Sequence, residues 1–329
     1  MKSEILNLKS KIHEEGGSPM EKQRSSILIA AFLTSLLIFC PLSLDAKTPP
    51  FKNFDRPRLI ETEELAKGVS HPFLRIVDLR TSFTDYLKGH LPNAVYLHFE
   101  NLRVPRNGIP GQIPDRIFLE KIFGEYLGIS NDRWVVFYSE KSNPNATYFA
   151  WTLDFLGHKR VGILNGGWEK WVADKLPITQ EFPSLQSKKF FGKIIQESVA
   201  DKKWVQSHLS AKNGMIVDAR PPKQYSGEEG EEIRKGHIPG ARNLFWETTL
   251  EGEEVKVWKK KEDLEKIFSD AGIFRDKEIL VYCRTGREAS HVYFTLKHVL
   301  DFPNVRLYRG SWVEWSSFKN LPIKTGMDP

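Results

Sequence analysis

The sequence KGHIPGA at residues 235–241 decides the fold, because a close copy, KGHLPNA, stands at residues 88–94. Upstream of each copy lies an apolar stretch that ends in Asp-x-Arg, IVDLR at 76–80 and IVDAR at 216–220. Two further matches follow in the same order: VVFY at 135–138 with ILVY at 279–282, and GGWEKW at 166–171 with GSWVEW at 310–315. Ordered matches of this kind show that the chain is a tandem duplication, in which the second copy carries an extra acidic, Gly-containing stretch at 227–232.

Each half alternates between short apolar strands and amphipathic helices. The expected strands are 76–78, 135–138 and 161–164 in the first half, and 215–218, 278–282 and 305–308 in the second. The expected helices are 116–127, 146–156, 262–271 and 289–300. This alternation predicts an α/β fold with two domains, each a mainly parallel sheet flanked by helices.

The chain divides into four expected segments. Residues 1–46 are a leader, 50–180 a first domain without catalytic function, 181–200 a linker, and 201–329 a second, catalytic domain. The length of 329 residues suits two domains, since ordinary domains have roughly 100–200 residues. A 40% apolar and 27% charged composition excludes a disordered or multi-span membrane protein. The net charge of +6 is too diffuse to indicate nucleic-acid binding.

The leader has the pattern of a secretory signal. The apolar run ILIAAFLTSLLIF at 27–39 is shorter than the roughly 18–20 residues of a spanning helix and suits a signal core of about 7–15. Lys22 and Arg24 precede it, and cleavage is expected after Ala46. The sequence therefore predicts an exported protein, periplasmic or extracellular. The alternative is a chain anchored in the membrane by residues 27–39.

One cysteine stands where chemistry is expected. Cys283 directly follows the strand at 278–282 and opens the loop CRTGRE at 283–288, which leads into a helix. In an open α/β sheet, ligands bind at the carboxyl ends of the strands. A tight loop that enters a helix there presents backbone N–H groups and the positive end of the helix dipole to an anion.

The residue types of this loop favour a thiolate. Arg284 and Arg287 add positive charge, and Gly286 permits a tight turn without a Cβ clash. We therefore expect the pKa of the Cys283 thiol to lie well below its ordinary value of about 8.5. The structural alternative is that Cys283 is a small buried hydrophobic residue at a strand end.

The first half lacks this chemistry. Ser139 occupies the position of Cys283, and the following residues EKSNPN contain neither glycine nor arginine. A serine hydroxyl without a nearby base is not a nucleophile. His237 recurs as His90 in the half without cysteine, so we interpret both histidines as structural. The repeated tryptophans at 168, 171, 312 and 315 are interpreted as core residues for the same reason.

The two repeated domains, their ordered motifs and the silent first half resemble the tandem-domain rhodaneses over about residues 55–325. Within that family, the loop CRTGRE at 283–288 is similar to the charged loop of thiosulfate sulfurtransferases. The mercaptopyruvate branch typically carries a small neutral loop, Cys-Gly-Ser-Gly-Val-Thr, which is not present here. The sequence departs from some thiosulfate enzymes at Thr285, where they have a lysine, and Arg287 is expected to supply that charge.

The resemblance implies a mechanism and a set of site residues. Cys283 attacks the outer sulfur of thiosulfate and becomes a persulfide, and a thiophilic acceptor such as cyanide then removes the sulfur. The donor is expected to contact these residues: Arg220, Arg284, Thr285, Gly286, Arg287 and Glu288. For Arg220, a salt bridge with Asp218 or with the acids at 228–232 is the alternative. No cofactor and no metal site are expected, and the chain is expected to be a monomer.

The sequence leaves three other functions to consider. The nearest enzymatic alternative is a 3-mercaptopyruvate sulfurtransferase. The non-enzymatic alternative is a sulfur carrier, which binds a partner macromolecule and shows little turnover of small anions. The acidic stretch 227–232 would be its docking feature. Cysteine phosphatases need an arginine six positions after the nucleophile, where this chain has Ala289, so a phosphatase is disfavoured.

Overall fold

The computed structural model describes residues 51–52, 54–141, 143–209, 211 and 213–329. The expected leader at 1–46, with its apolar run at 27–39, lies outside the described residues. Among the described residues, no helix is both long enough and apolar enough to span a bilayer.

The first half contains a five-stranded sheet and a small hairpin. Its strands are β1 Arg58–Ile60, β2 Leu74–Asp78, β3 Ala94–Tyr96, β4 Val104–Arg106, β5 Ile109–Gln112, β6 Trp134–Tyr138 and β7 Val161–Leu164. Its helices are α1 Thr62–Gly68, α2 Phe83–Lys88, α3 Arg116–Lys121, α4 Asn145–Phe155 and α5 Gly167–Ala173, with a π-helical turn at Ile122–Tyr126 and a 3₁₀ turn at Phe99–Leu102. The sheet order is β1-β7-β6-β2-β3, and every pair in it is parallel.

The second half repeats this plan. Its strands are β8 Val199–Ala200, β9 Gly214–Asp218, β10 Ala241–Asn243, β11 Leu250–Glu251, β12 Val257–Trp258, β13 Glu278–Tyr282 and β14 Val305–Tyr308. Its helices are α6 Lys202–His208, α7 Pro222–Ser226, α8 Lys261–Asp270, α9 Arg287–Phe294 and α10 Ser311–Ser317, with 3₁₀ turns at Gln196–Ser198 and Trp246–Thr249 and a π-helical turn at Thr295–Val299. The order β8-β14-β13-β9-β10 matches the first sheet strand for strand, and all its pairs are parallel. The predicted α/β duplication is confirmed.

The central strands of the two sheets are buried along nearly their whole length. All five residues of β2 and all five of β6 are buried, as a parallel strand covered on both faces requires. Connections through helices then place the carboxyl ends of all strands in one sheet at one edge. Cys283 follows β13 at that edge of the second sheet, and Ser139 follows β6 at that edge of the first.

The two halves share their largest hydrophobic cluster, and each half has a further cluster of its own. The largest core cluster joins residues of both halves, including Trp151 of α4 and Tyr293 of α9. The hydroxyls of Thr147 and Ser290 lie 2.8 Å apart where these two helices pack together. This packing brings the first half directly against the helix that follows the cysteine loop.

Candidate active site

The Cys283 backbone is fixed by the turn that precedes α10. Its carbonyl accepts a hydrogen bond of 2.9 Å from Trp312 N–H, and its N–H donates to the Ser311 hydroxyl at 3.4 Å. Ser311 has φ of +52°, a left-handed conformation that is uncommon for a residue with a Cβ. The β14–α10 turn therefore positions the nucleophile, a contribution that the loop motif itself does not reveal.

Backbone amides surround the sulfur as the loop pattern predicts. Gly286 N–H donates to Cys283 Sγ at 3.0 Å, and the amides of Thr285 and Ala289 also act to lower the thiol pKa. Gly286 has φ of +96°, so a glycine is required where the loop turns into α9. This cradle can hold negative charge on a sulfur atom bound to Cys283.

The expectation of a depressed thiol pKa is wrong for this conformation. Cys283 has no exposed surface, and burial raises its pKa well above the ordinary range, with the neighbouring Glu288 carboxylate raising it further. The backbone amides oppose these two effects without overcoming them. Desolvation penalises the charged thiolate, so the resting cysteine is a thiol beside a carboxylate.

The Glu288 carboxylate lies against the Cys283 thiol and the Arg287 guanidinium. Burial acts to raise the pKa of its carboxyl, but Arg287 and the Cys283 thiol outweigh burial, and the pKa is lowered overall. Arg287 Nη2 lies 3.1 Å from Glu288 Oε1, and about one-fifth of the Glu288 side chain is exposed. An ionised carboxylate against the thiol can accept the thiol proton, and the predicted contact of Glu288 with the donor stays a prediction.

Arg284 does not face the sulfur as a free cation. Its Nε donates to Glu232 at 2.7 Å and its Nη2 to Glu231 at 2.7 Å. Both acids belong to the acidic stretch at 227–232, which therefore pairs with the cysteine loop. The charge of Arg284 is compensated by these two acids in this conformation, and its contact with the donor stays a prediction.

Arg220 forms a salt bridge with Asp218, which is one of the alternatives expected for it from the sequence. Its guanidinium donates to both Asp218 carboxylate oxygens and to a glycine carbonyl, and the residue is 2% exposed. Arg80 makes the same bonds to Asp78 in the first half. Burial acts to lower the pKa of Arg220, but Asp218 raises it overall. A network present in both halves is structural, and the acids at 228–232 take no part in it.

Arg287 reaches the first half. Its guanidinium carbon lies 5.5 Å from the centre of the Phe99 ring, and that of Arg103 lies 5.1 Å from the same ring. Arg103 also donates to Glu100 at 2.8 Å, while its Nε is buried and has no hydrogen-bond partner among the described residues. Two guanidinium groups, one from each half, thus flank one aromatic ring beside the cysteine loop.

Tyr148 closes the site from the first half. A Cβ on Gly286 would lie 3.5 Å from Cε2 of the Tyr148 ring, and the ring centres of Tyr148 and Phe99 are 5.3 Å apart. Burial raises the pKa of the Tyr148 hydroxyl, which also senses the charges of Arg103 and Cys283. Sequence reasoning missed Phe99, Arg103 and Tyr148, because no repeated motif marks them and only the packing of the halves brings them here.

The corresponding place in the first half is closed by its own loop. The Ser139 hydroxyl donates to the Asn143 carbonyl at 2.7 Å, so its proton is engaged within its own loop. His237 Nδ1 and Nε2 lie 2.9 and 3.1 Å from two backbone carbonyl oxygens, and His90 makes the equivalent contacts. Both histidines are structural, as predicted.

No group of three or more His, Cys, Asp or Glu side chains suited to a metal ion occurs within the described ranges. His291 is buried, and burial lowers its pKa to about 3. It lies between Trp246 and Trp258 with its Nε2 2.8 Å from the Thr249 hydroxyl. His291 is therefore a neutral core residue.

Comparison with known proteins agrees with this geometry. The family described as rhodanese-like domain matches residues 61–174 and again 201–318. The sulfur carrier protein TtuD of Thermus thermophilus is 34% identical over 283 residues, covering 82% of this chain and 96% of that protein. A thiosulfate sulfurtransferase of Pseudomonas aeruginosa is 32% identical over 270 residues, covering 82% of this chain and 98% of that protein.

A solved structure of a further relative supports the fold. SseA from Escherichia coli, described as a 3-mercaptopyruvate sulfotransferase with the rhodanese fold, superimposes with a TM-score of 0.70 and 31% identity. The match covers 77% of this chain and 98% of SseA.

Proposed function

The chain belongs to the rhodanese family of sulfurtransferases, and from this premise we propose that its donor is thiosulfate and its sulfur-carrying residue is Cys283. The observation that carries the proposal is that two guanidinium groups, Arg103 of the first half and Arg287 of the second, lie near the same Phe99 ring beside the cysteine loop. Each pairs with a carboxylate of its own half, Glu100 and Glu288, and would turn part of its charge to an entering anion. Thiosulfate is a dianion, and two separated cations beside the nucleophile suit its charge better than that of a monoanion.

The proposed reaction has two displacements. Glu288 accepts the proton of the Cys283 thiol, and the thiolate attacks the outer sulfur of thiosulfate. The S–S bond of the donor breaks, sulfite leaves with the electron pair, and a cysteine persulfide remains. Cyanide then attacks the outer sulfur, thiocyanate forms, and Cys283 is released as a thiolate that regains the proton. The covalent intermediate divides one transfer into two easier steps.

The amide cradle supports the intermediate. The N–H groups of Thr285, Gly286 and Ala289 point at the sulfur, so they stabilise negative charge on a persulfide without any reorganisation. Because Cys283 has no exposed surface, the donor reaches it only after the surrounding residues move. We place that movement between the cysteine loop and the side chains of Phe99 and Tyr148, which belong to the other half.

The division of labour between halves is part of the proposal. We propose that residues 50–180 form a silent domain that closes the site, that 181–200 link it to the rest, and that 201–329 form the catalytic domain. The support is the contrast between Ser139, whose hydroxyl is held by its own loop, and Cys283 in its amide cradle. Cys283→Ser should abolish thiocyanate formation, and Ser139→Ala should leave it intact.

The donor site is tested by steady-state kinetics with thiosulfate and cyanide. Arg103→Gln should raise the KM for thiosulfate about tenfold or more, the effect of losing a hydrogen bond to a charged group. Arg116→Gln is the matched control, because Arg116 is a surface arginine of the same half that pairs with Glu120 on its own helix. An unchanged KM in Arg103→Gln would remove the first half from donor binding.

Two relatives define the competing functions. The likeness to SseA favours 3-mercaptopyruvate as the alternative donor, and the likeness to TtuD favours a sulfur carrier. A comparison of kcat/KM for thiosulfate and mercaptopyruvate on one preparation separates the two donors. A carrier would show Cys283 one sulfur atom heavier by mass spectrometry after thiosulfate treatment, with negligible steady-state turnover.

We also propose that residues 1–46 direct export. The support is the basic, apolar and small-residue order of that segment. Fractionation of cells that express the full chain and a chain lacking 1–46 tests this. The full chain should be found outside the cytoplasm, shortened at Ala46, whereas an unshortened chain in the membrane fraction would indicate an anchor at 27–39.

A further inference from the structure

A second cationic cavity lies in the first half, at the sheet edge opposite to the one that carries the catalytic chemistry. Arg75 stands near the amino end of β2 and Arg133 immediately precedes β6, whereas Ser139, the counterpart of Cys283, follows the carboxyl end of β6. Both arginines line a cavity of about 300 Å³, together with His71, Asn93 and Gln186. The mechanism uses none of these residues.

Arg75 is a buried cation that forms no salt bridge with any described residue. The residue is 6% exposed, and its Nε is inaccessible and has no hydrogen-bond partner among the described residues. Burial, together with the positive charge of Arg133, lowers its pKa to about 10. Burying a charge costs free energy unless the charge is paired and hydrogen-bonded. An anion in the cavity would therefore stabilise Arg75.

Arg133 adds a second positive charge to the same cavity. Its Nη1 donates to the Pro72 carbonyl at 3.1 Å, and its guanidinium carbon lies 5.8 Å from the centre of the Phe73 ring. Burial lowers its pKa, and Asp132 opposes that effect. The Asp132 carboxylate accepts a hydrogen bond from the Ser130 hydroxyl and makes no salt bridge to Arg133. The two arginines therefore line one cavity and repel each other, and no described acid forms a salt bridge with either.

The Gln186 side chain adds a neutral donor to the cavity. Its carbonyl oxygen accepts a hydrogen bond from Lys188 at 3.3 Å, which leaves its amide nitrogen as a donor. Guanidinium and amide donors around one cavity match the acceptor oxygens of a tetrahedral anion.

We propose that this cavity is a binding site for a small multivalent oxyanion, of the phosphate or sulfate class, held between Arg75 and Arg133. The anion would compensate the buried charge of Arg75 and relieve its repulsion with Arg133. The cavity volume of about 300 Å³ accommodates such an anion together with several waters, each of which occupies about 30 Å³. The site is independent of the thiosulfate proposal.

Isothermal titration calorimetry of the full chain with inorganic phosphate, and separately with sulfate, tests the proposal in a buffer free of other oxyanions. We expect one saturable site per chain. Arg133→Gln should weaken that binding about tenfold or more, and Arg75→Gln should abolish it. Removing the unpaired buried charge should also raise the thermal midpoint of Arg75→Gln when no anion is present. If phosphate binds and sulfate does not, the ligand is of the phosphate class, and the reverse result assigns it to sulfate.

Two controls separate this site from the catalytic one. Arg103→Gln and Arg287→Gln, which alter the cleft at Phe99, should retain the binding heat. Conversely, Arg133→Gln should retain sulfur transfer. The proposal is overturned if neither anion binds at millimolar concentration, if Arg133→Gln binds like the unaltered chain, or if Arg103→Gln removes the heat.

Discussion

At the scale of single residues, the balance around Cys283 decides how the nucleophile is made. Burial and the Glu288 carboxylate raise the thiol pKa, and backbone amides lower it. Glu288 therefore has two effects: its negative charge disfavours the thiolate, and its oxygen offers a place for the proton. The two effects can be separated because alkylation reports the thiolate, whereas turnover requires the complete proton path.

The first prediction concerns Glu288→Gln. Loss of the carboxylate charge should lower the pKa of Cys283, so the rate of alkylation by iodoacetamide should rise at neutral pH and its pH profile should shift to lower pH. The thiocyanate-forming rate should fall in the same variant, because the proton acceptor is lost. Glu262→Gln, an exposed change on α8, should alter neither rate. Slower alkylation of Glu288→Gln would contradict the assigned direction.

The sequence predicts the local geometry of the loop but not its electrostatic outcome. Gly286 adopts the left-handed turn that its position requires, and its amide reaches the sulfur as expected. The sign of the nearby charges is also visible in the sequence. The pairing of these charges is not visible in the sequence, because the acids that bind Arg284 lie about fifty residues upstream. Desolvation of the thiol depends on packing that no motif records.

At the scale of elements, the acidic stretch 227–232 acts as a counter-charge to the cysteine loop. Glu232 is held tightly, with 11% of its side chain exposed, whereas Glu231 is 77% exposed. Together they cancel the charge of Arg284 close to the site. The stretch has no counterpart in the first half, whose loop has no arginine to compensate.

The second prediction follows from this pairing. The double variant Glu231→Gln, Glu232→Gln should free the Arg284 charge, so the KM for thiosulfate should fall several-fold and should become more sensitive to ionic strength. Glu229→Gln is the matched control, because Glu229 belongs to the same stretch but pairs with the exposed Lys223. An equal change in the control would mean that only the total charge of the protein matters.

Elements were predictable where burial is continuous. The strands at 161–164, 278–282 and 305–308 have the predicted bounds, since a run of apolar residues marks a strand covered on both faces. The helices expected at 116–127 and 289–300 end instead in π-helical turns. The hairpin of β4 and β5 was not predicted, because its short and partly exposed strands leave no clear alternation.

At the scale of the whole molecule, one buried acid ties the halves together. Asp154 of α4 accepts a hydrogen bond of 2.8 Å from the Tyr293 hydroxyl of α9, and it also contacts His298 at 3.3 Å and Lys159 at 2.6 Å. Burial acts to raise the pKa of Asp154, but His298 and Lys159 outweigh burial and lower it overall. Only 3% of the side chain is exposed, so the acid bridges the interface away from water.

The third prediction is the stability of Asp154→Asn. Removing a buried carboxylate that accepts hydrogen bonds from Lys159 and the Tyr293 hydroxyl should reduce the free energy of unfolding by about 2 kcal/mol, measured by urea denaturation at neutral pH. Asp270→Asn breaks an exposed pair with Lys266 within one helix and should leave the midpoint unchanged. Equal midpoints for the two variants would show that the Asp154 contacts contribute no stability.

A fourth prediction concerns acid. A carboxyl whose folded pKa is depressed stabilises the fold above its unfolded pKa, which is about 3.9 for Asp, and loses that contribution as the pH falls towards the folded value. The unaltered chain should therefore lose stability below about pH 4 more steeply than Asp154→Asn. Unfolding midpoints measured across that interval, in the same buffer series, would disagree with this if the two curves ran parallel.

The duplication could be predicted from the sequence because its motifs keep their order. The position of the nucleophile could be predicted because only one copy carries the cysteine loop. The packing of the two halves against each other could not be predicted from the sequence. Arg103 and Tyr148 lie in the half without a nucleophile, and neither belongs to a repeated motif. Their role depends on the packing of α4 against α9, which arises from apolar surfaces distributed over both halves.

The complete burial of Cys283 has a consequence for the lifetime of the sulfur it carries. A persulfide formed there and then enclosed by Tyr148 and Phe99 would be out of reach of dissolved thiols and oxidants. The persulfide sulfur would thus be lost only when the cysteine loop moves away from Phe99 and Tyr148, and its half-life would measure how often that movement occurs. Such an enzyme would retain its persulfide until an acceptor small enough to enter the site arrives.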